Sequence, residues 1–251
     1  MNIRKVSFLV SPIVGMVSGE YMIPEKPVAI LTLAHGAGAG MNHSWMVELA
    51  AALAEKARIA TLRFNFPFTE HKKGRPDQPA VAHATVAAAI DHARASFPGL
   101  ALFAGGKSFG GRMTSQYLAA GSRGEAAPSR GDVADSRREV ADSGKEVADS
   151  RRGVADSRRD VKGVIFYGFP LHPAGKPSIE RAEHLKAVKV KMLFLQGTKD
   201  ELATWDLIVD VCAGLPLATL VKIEGANHAF KAGKRDVIGE LVKATADWIG
   251  S

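Results

Sequence analysis

One serine of the chain lies in a setting that favours nucleophilic chemistry. Ser108 is the centre of the pattern Gly106-Lys-Ser-Phe-Gly110, which follows an apolar run, Leu100–Ala104, and precedes an amphipathic segment, Met113–Ala120. A strand, a tight turn and a helix in this order form a nucleophile elbow, whose glycines let the strained turn project a serine hydroxyl above the sheet. The pattern therefore predicts a catalytic serine, with a simple helix N-cap as the alternative interpretation.

A serine hydroxyl is a poor nucleophile unless a base accepts its proton and an acid orients that base. Two later residues have suitable types and positions. Asp200 follows the predicted strand Val190–Leu195, and His228 follows the predicted strand Ala218–Ile223. Because the carboxyl ends of parallel strands meet at one edge of a sheet, we expect both residues to converge on Ser108. The order serine, acid, histidine predicts a Ser–His–Asp triad.

Other residues compete for the acid and the base. Glu201 and Asp206 are rival acids, although Asp206 falls inside a predicted helix, and Asp200 itself could cap that helix. The other seven histidines of the chain are less well placed, because they lie on a helix, in a polar loop or before the point where the base is expected: His35, His43, His71, His83, His92, His172 and His184. Asp200 and His228 remain the preferred pair.

An acyl-transfer site also needs N–H donors for the charge that develops on the carbonyl oxygen. The backbone of Phe109, directly after the serine, predicts one donor. The loop His35-Gly-Ala-Gly38 follows the predicted strand Val28–Leu33 and predicts the other, from Ala37 first and Gly38 second.

Several polar residues near these motifs are candidates for lining a pocket. Lys107 and Arg112 lie beside the serine, where they could hold a substrate carboxylate or pair structurally. His172 and Lys176 belong to a proline-rich loop expected above the sheet, and His35 belongs to the predicted donor loop. For all of them a structural role is the competing interpretation.

Phosphate, dinucleotide and metal sites have little support. A P-loop needs glycine five residues before Gly106, where the chain has Ala101, and the glycine-rich loop has Met41 where a dinucleotide fingerprint needs its third glycine. Arg63 alone is weak evidence for a phosphate contact. No histidine or cysteine pair has ligand spacing. We therefore expect neither a cofactor nor a metal.

Strands alternate with helices along the chain, which predicts an α/β fold with a mainly parallel central sheet flanked by helices. Two strands joined at Ser11-Pro12 are favoured over a signal peptide at the N-terminus, since Val6, Phe8 and Val10 alternate with their neighbours. The predicted helices are Ser44–Ala57, Ala80–Ser96, Met113–Ala120, Ile179–Ala187, Leu202–Ala213 and Asp236–Ile249; the remaining strands are Arg58–Phe64 and Lys162–Gly168.

The length of 251 residues fits a single domain, 1–251, interrupted by a low-complexity repeat at 122–161. Valine recurs there every seven residues from Val133 to Val161, but serine occupies the position where a coiled coil needs its second apolar residue. Balanced charges and glycines indicate an insertion in a surface loop rather than a domain.

Net charge and cysteine content limit which binding partners and which cellular compartment are expected. The net charge of +7 comes from scattered residues with few interleaved aromatics, so we expect no nucleic-acid partner. No apolar run is long enough to cross a bilayer, and we expect no membrane partner. The single cysteine, Cys212, cannot form an internal disulfide, which favours a cytoplasmic location. The oligomeric state stays open.

The combined motifs resemble a family of small α/β-hydrolases that are similar to dienelactone hydrolases. The resemblance covers nearly the whole chain outside the repeat and is carried by six segments: His35–Gly40, Arg63–Phe68, Gly105–Met113, Gly168–Pro177, Gln196–Asp200 and Gly225–Lys231. It implies an α/β-hydrolase fold and the same triad, Ser108, Asp200 and His228. Dienelactone hydrolases proper carry cysteine where this chain has serine, so the resemblance does not imply a lactone substrate.

The resemblance is specific to the family and not to a substrate. The triad leads us to expect a serine hydrolase that cleaves a small ester, thioester or related acyl substrate. The segment after Gly168, where lid domains are usually inserted, is short, so we expect no lid domain. The family is also similar to subunits of eukaryotic chromatin complexes for which the fold does not imply catalysis. The alternative is therefore a non-catalytic interaction module that keeps the hydrolase fold.

Overall fold

The computed structural model describes residues 1–120 and 157–251. Most of the predicted insertion at 122–161 lies outside these residues, and only its last five fall within them. Ser157–Asp160 form a 3₁₀ helix, and Val161 is the buried first residue of a strand. That strand continues the central sheet.

The described chain forms one eight-stranded sheet with the order β1-β2-β4-β3-β5-β6-β7-β8. Strands β3 to β8 are parallel to one another, and β1 and β2 add an antiparallel hairpin at one edge. The strands are β1 (Asn2–Ser11), β2 (Gly15–Ile23), β3 (Ala29–Ala34), β4 (Ile59–Phe64), β5 (Ala101–Lys107), β6 (Val161–Tyr167), β7 (Lys191–Gly197) and β8 (Ala218–Ile223). The predicted α/β fold with a mainly parallel sheet is confirmed, as are the two N-terminal strands.

Helices cover both faces because the central strands are apolar on both sides. The helices are α1 (Ser44–Ala57), α2 (Pro67–Glu70), α3 (Pro79–Ser96), α4 (Phe109–Ala120), α5 (Trp205–Ala213) and α6 (Val237–Gly250). Buried residues of α3, α4 and α5 belong to the core on one face, and those of α1 and α6 to the core on the other. None of the helices in the described ranges is long and apolar enough to span a membrane.

The predicted boundaries differ from the structure mainly around short loops. The four-residue helix α2 lies between β4 and a loop and was not predicted, and the segment predicted as a helix at Ile179–Ala187 is a 3₁₀ helix, Glu180–Ala187. Helix α5 begins at Trp205 rather than Leu202, because the Leu202 N–H donates to the Asp200 carboxylate and the Ala203 N–H to its carbonyl. Residues 200–203 thus form a turn that fixes the carboxylate of Asp200.

Candidate active site

The nucleophile elbow lies between β5 and α4. Ser108 connects the two elements with a φ of 50°, a left-handed conformation that non-glycine residues rarely adopt. Gly106 permits the close packing, since a Cβ there would lie 2.4 Å from the Ala34 carbonyl oxygen. The serine side chain therefore projects at the carboxyl edge of the sheet.

Three side chains from three loops meet at this edge. The Nε2 of His228 lies 2.8 Å from the Oγ of Ser108, and its Nδ1 lies 2.8 Å from Oδ2 and 3.0 Å from Oδ1 of Asp200. A carboxylate can only accept, so Nδ1 carries the hydrogen and donates it to Asp200. Nε2 is then the acceptor for the serine hydroxyl. This is the tautomer that a general base requires.

The carboxylate of Asp200 is fixed by two further donors. The Nε2 of Gln196 donates to Oδ2 at 2.6 Å, and the Leu202 N–H donates to Oδ1 at 2.8 Å. The Oε1 of Gln196 in turn accepts the Phe169 N–H at 2.9 Å. The Asp200 side chain is 1% exposed. Its orientation is thus set by groups on β7, on the acid loop and on the loop that follows β6.

The two rival acids lie elsewhere. Glu201 is exposed, and its Oε2 accepts the backbone N–H of His228 at 3.3 Å rather than contacting the imidazole. Asp206 is exposed in the first turn of α5. The structure places Asp200 against the ring of His228.

The loop after β3 passes beside Ser108 and is anchored by hydrogen bonds of His35. A Cβ on Gly36 would lie 3.7 Å from the Ser108 Cβ, so the loop runs directly beside the serine. The Nε2 of His35 accepts the Phe66 N–H at 3.1 Å, and Nδ1 donates to the Gly36 carbonyl at 2.8 Å. Burial lowers the pKa of His35 to about 4, which keeps this ring neutral. His35 is a support of the loop and does not project into the site.

The far end of the same loop is held by residues at the end of β4. Arg63 donates to the Met41 carbonyl and pairs with Glu20 on β2, and Asn65 Oδ1 accepts the Met41 N–H at 3.0 Å. Arg63 is 1% exposed. Its charge is thus engaged inside the protein, and it holds the chain instead of facing a phosphate.

The two predicted N–H donors belong to segments that border Ser108, namely the start of α4 and the loop after β3. Phe109 is the first residue of α4, where backbone N–H groups have no partner within the helix. Its ring packs edge-on against Phe66 at 5.3 Å and Phe68 at 5.9 Å. Ala37 and Gly38 are exposed and directly follow Gly36, which runs beside Ser108. The loop after β3 and the start of α4 therefore flank Ser108.

The remaining candidate pocket residues have diverse positions. His172 is 2% exposed; its Nε2 accepts the Thr204 N–H at 2.9 Å, and its Nδ1 donates to the Pro173 carbonyl at 2.9 Å, which joins two loops. Lys176 is exposed. The Nε of Arg112 is buried without a hydrogen-bond partner in the described chain, and its pKa is lowered by burial and by the nearby charge of Arg181.

Lys107 extends behind the triad rather than toward a substrate position. Its ammonium donates to the backbone carbonyl of His228 and lies 5.0 Å from the ring centre of Phe230 and 5.9 Å from that of Trp45. This cluster and the contact of Gln196 with Asp200 were not anticipated from the sequence. A buried glutamine at the end of an apolar strand, four residues before Asp200, was the available signal.

No cluster of three or more histidine, cysteine, aspartate or glutamate side chains able to hold a metal occurs within residues 1–120 and 157–251. Cys212 is buried in α5, and burial raises its pKa to about 12, so it is an unreactive thiol.

The fold and the Ser108 elbow are those of an α/β-hydrolase domain. The family model of that description matches residues 27–129 and 144–247, and the chain belongs to this family. A sequence comparison with curated proteins finds no match.

Solved structures share the fold at low sequence identity. A dienelactone hydrolase from Anabaena variabilis is 18% identical with a TM-score of 0.70, over 99% of this chain and 97% of that one. An α/β serine hydrolase from Xanthomonas campestris, described as lacking a lid, is 21% identical with a TM-score of 0.64, over 98% and 95%. The esterase domain of a Rhodothermus marinus protein is 16% identical with a TM-score of 0.64, over 99% and 98%. The predicted resemblance to small α/β-hydrolases is confirmed.

Proposed function

We propose that the protein is a serine hydrolase that cleaves a small ester, thioester or related acyl substrate through a Ser–His–Asp triad. The observation that carries the proposal is the continuous hydrogen-bonded path from Ser108 through His228 to Asp200, with 2.8 Å at both of its closest contacts. A non-catalytic module has no use for this path, although it could retain the fold.

In the first step, Ser108 Oγ attacks the substrate carbonyl while His228 Nε2 accepts the hydroxyl proton. Asp200 holds the Nδ1–H and stabilises the imidazolium that forms. The imidazolium then protonates the leaving group, and an acyl-enzyme remains on Ser108. A water molecule, deprotonated by the same Nε2, attacks the acyl carbonyl and releases the acid with regeneration of the serine.

The tetrahedral intermediate places negative charge on the former carbonyl oxygen. We assign its donors to the backbone N–H groups of Phe109 and Ala37, since the first opens α4 and the second follows Gly36, which lies against Ser108. The positive end of the α4 dipole also faces this position. Removal of one such donor typically costs 10²- to 10³-fold in kcat.

The short chain segment between β6 and β7 supports a small substrate. Between β6 and β7 the chain has 23 residues, 168–190, whose regular structure is one 3₁₀ helix. The lid-less Xanthomonas campestris structure has the same fold. We therefore propose an open site for small acyl compounds, without the enclosed apolar tunnel that long lipid chains need.

An active-site fluorophosphonate probe tests the nucleophile. We expect covalent labelling of the folded protein and its loss in Ser108→Ala, because the probe reacts with an activated serine. Hydrolysis of short aryl esters should be lost in the same variant. The measurement is the mass shift of the intact chain together with the rate of ester hydrolysis.

The chain offers a matched control in Ser115 on the same helix. Its Oγ lies 2.8 Å from Nε2 of His184, so it also contacts a histidine, but Ser115 is fully buried. Ser115→Ala should retain probe labelling. A wild-type protein that is folded and unlabelled, or a Ser108→Ala protein that is labelled as before, would refute the assignment.

A further inference from the structure

The lysine next to the nucleophile occupies an aromatic cage behind the catalytic histidine. The rings of Trp45 and Phe230 stack with centroids 5.7 Å apart and planes 12° apart. The Nζ of Lys107 lies 5.0 Å from the centroid of Phe230 and 5.9 Å from that of Trp45, within the range of cation–π attraction. Helix α1, which supplies Trp45, and the loop after β8, which supplies Phe230, thus form the walls of the cage.

The ammonium lies on the acid side of the triad. A Cβ on Gly168 would be 3.1 Å from Lys107 Nζ and 3.5 Å from Asp200 Oδ2, so these two charged groups border the same small space. Gly168 has a φ of 73°, and glycine leaves that space open. The ammonium of Lys107 therefore lies close to the Asp200 carboxylate.

The backbone of His228 is held at both of its polar groups. Its N–H donates to Glu201 Oε2 at 3.3 Å, and its carbonyl accepts from the ammonium of Lys107. The following turn is closed as well, because the Phe230 N–H donates to the Asn227 carbonyl at 2.9 Å. Fixing the peptide groups around His228 fixes the direction of its Cα–Cβ bond, and with it the position of the imidazole.

We propose that Lys107 is a positioning residue of the hydrolase: its caged ammonium holds the His228 carbonyl and so keeps Nε2 within reach of Ser108. This inference rests on the proposed function. The residue acts through His228 and touches no reacting atom. Removing the ammonium frees the loop, and an imidazole displaced by about 1 Å can cost on the order of 100-fold in rate.

The hydrogen bond from Lys107 to the His228 carbonyl depends on pH, because the surroundings of the ammonium set its pKa. The carboxylates of Asp200 and Glu201 favour the charged amine, the cage rings carry no titratable group, and His228 contributes its carbonyl. Burial outweighs the carboxylates and lowers the pKa of Lys107 from 10.5 to about 8. Below pH 8 the ammonium is present; above it the neutral amine is a weaker donor and the loop loosens.

The lowered pKa of Lys107 affects activity and stability in opposite directions as pH rises. Between pH 8 and 10.5 the unfolded chain binds the lysine proton and the folded chain does not, so this residue's contribution to the free energy of unfolding rises with pH in that window. At neutral pH the buried charge is a net cost to folding. Replacing it with an apolar side chain of similar length should therefore not lower the melting temperature.

The test compares the full-length wild-type chain with Lys107→Met, using kcat and KM for a short aryl ester and the melting temperature, from about pH 6 to about pH 10. At neutral pH we expect kcat to fall about 10- to 100-fold with KM changed less than about twofold, and a melting temperature at or above that of the wild type. The wild-type kcat should decline as pH rises through 8, and that decline should be absent from Lys107→Met.

A purely structural lysine gives another result: kcat within about twofold of wild type, or a loss of activity that parallels a lower melting temperature. Either outcome overturns the proposal, as does a wild-type kcat that is flat through pH 8. Lys107→Arg is the rescue variant, since a guanidinium stays charged throughout. It should recover part of the lost kcat and remove the decline above pH 8; an Arg variant no better than Met also overturns it.

Failure of the proposed function is distinguishable from failure of this inference. If the wild-type protein neither reacts with the fluorophosphonate probe nor hydrolyses esters, the function is wrong. If wild type is active and Lys107→Met is equally active, the function stands and only the role of Lys107 is wrong.

Discussion

The proposed nucleophile, Ser108, and its proposed base, His228, are held by different kinds of structure. Ser108 is fixed by the backbone: a left-handed turn is wedged between β5 and α4, and Gly106 is packed against the Ala34 carbonyl. His228 lies on a loop whose position depends on side chains, with Lys107 and Glu201 holding its peptide groups and Asp200 holding its ring. Close backbone packing holds the elbow in place, whereas hydrogen bonds and ion pairs hold the loop that carries His228.

Substitutions in the two halves of the site should therefore have different effects. A change in the elbow moves backbone atoms of the central sheet, so it should lower the free energy of unfolding. A change in the supports of His228 or Asp200 leaves the sheet intact and should lower kcat instead. Three substitutions test this distinction.

The largest effect is expected from Asp200→Asn. The asparagine NH₂ group cannot accept from the Nδ1–H of His228, so the ring favours the wrong tautomer. We expect kcat/KM to fall about 10³- to 10⁴-fold while the melting temperature changes little. Steady-state kinetics with a short aryl ester and a thermal unfolding curve measure the two quantities.

Asp206→Asn is the control for that experiment. Asp206 is a nearby acid of the same type, exposed in the first turn of α5. Its replacement should leave kcat/KM within about twofold. An equal loss in both variants would show that the acid has been assigned to the wrong residue.

The second largest effect is expected from Gly106→Ala, and it should appear in stability. The added Cβ would lie 2.4 Å from the Ala34 oxygen and 2.9 Å from the Ala34 Cβ, so β3 or α4 must shift. We expect the free energy of unfolding to fall by about 3 kcal/mol, measured by denaturant titration.

Gly74→Ala serves as the comparison, because a Cβ there meets nothing within 4 Å. This substitution should leave the free energy of unfolding within about 0.5 kcal/mol of wild type. If Gly106→Ala is as mild, the elbow is not held by close backbone packing and the contrast with the histidine loop disappears.

The same contrast explains which parts could be predicted from the sequence. The elbow carries its signature in consecutive residues, Gly106 to Gly110, since a tight turn uses neighbours in the chain. Strands and most helices were likewise predicted within a few residues from apolar periodicity. The structure then brought Asp200 and His228 to Ser108, as their places after two strands had predicted.

The supports that join residues distant in the chain could not be predicted. The cage of Lys107 combines Trp45 from α1 with Phe230 from the loop after β8, and no local spacing connects them. The ion pair of Arg63 could not be predicted either, because its partner Glu20 lies on the neighbouring strand and only the strand order shows that the two residues meet. Pairing across a sheet is a property of the fold.

The smallest effect is expected from Gln196→Leu, which tests a polar support of the acid. Leucine keeps the side-chain volume but removes the donor to Asp200 Oδ2 and the acceptor of the Phe169 N–H. Asp200 retains the Leu202 N–H and the imidazole, so its carboxylate should rotate rather than leave the site. We expect kcat to fall about tenfold, equivalent to about 1.4 kcal/mol, in short-ester kinetics at neutral pH.

Thr198→Val is the matched control, because Thr198 lies two residues after Gln196; its Oγ1 accepts the Gly225 N–H at 2.8 Å and donates to Glu224 Oε1 at 3.1 Å without touching the triad. It loses a comparable polar contact, so a similar drop in melting temperature with kcat within about twofold is expected. If the two variants lose equal activity, the acid loop responds to any lost hydrogen bond. A loss of kcat confined to Gln196→Leu ties activity to the orientation of the Asp200 carboxylate, as a site held by polar contacts requires.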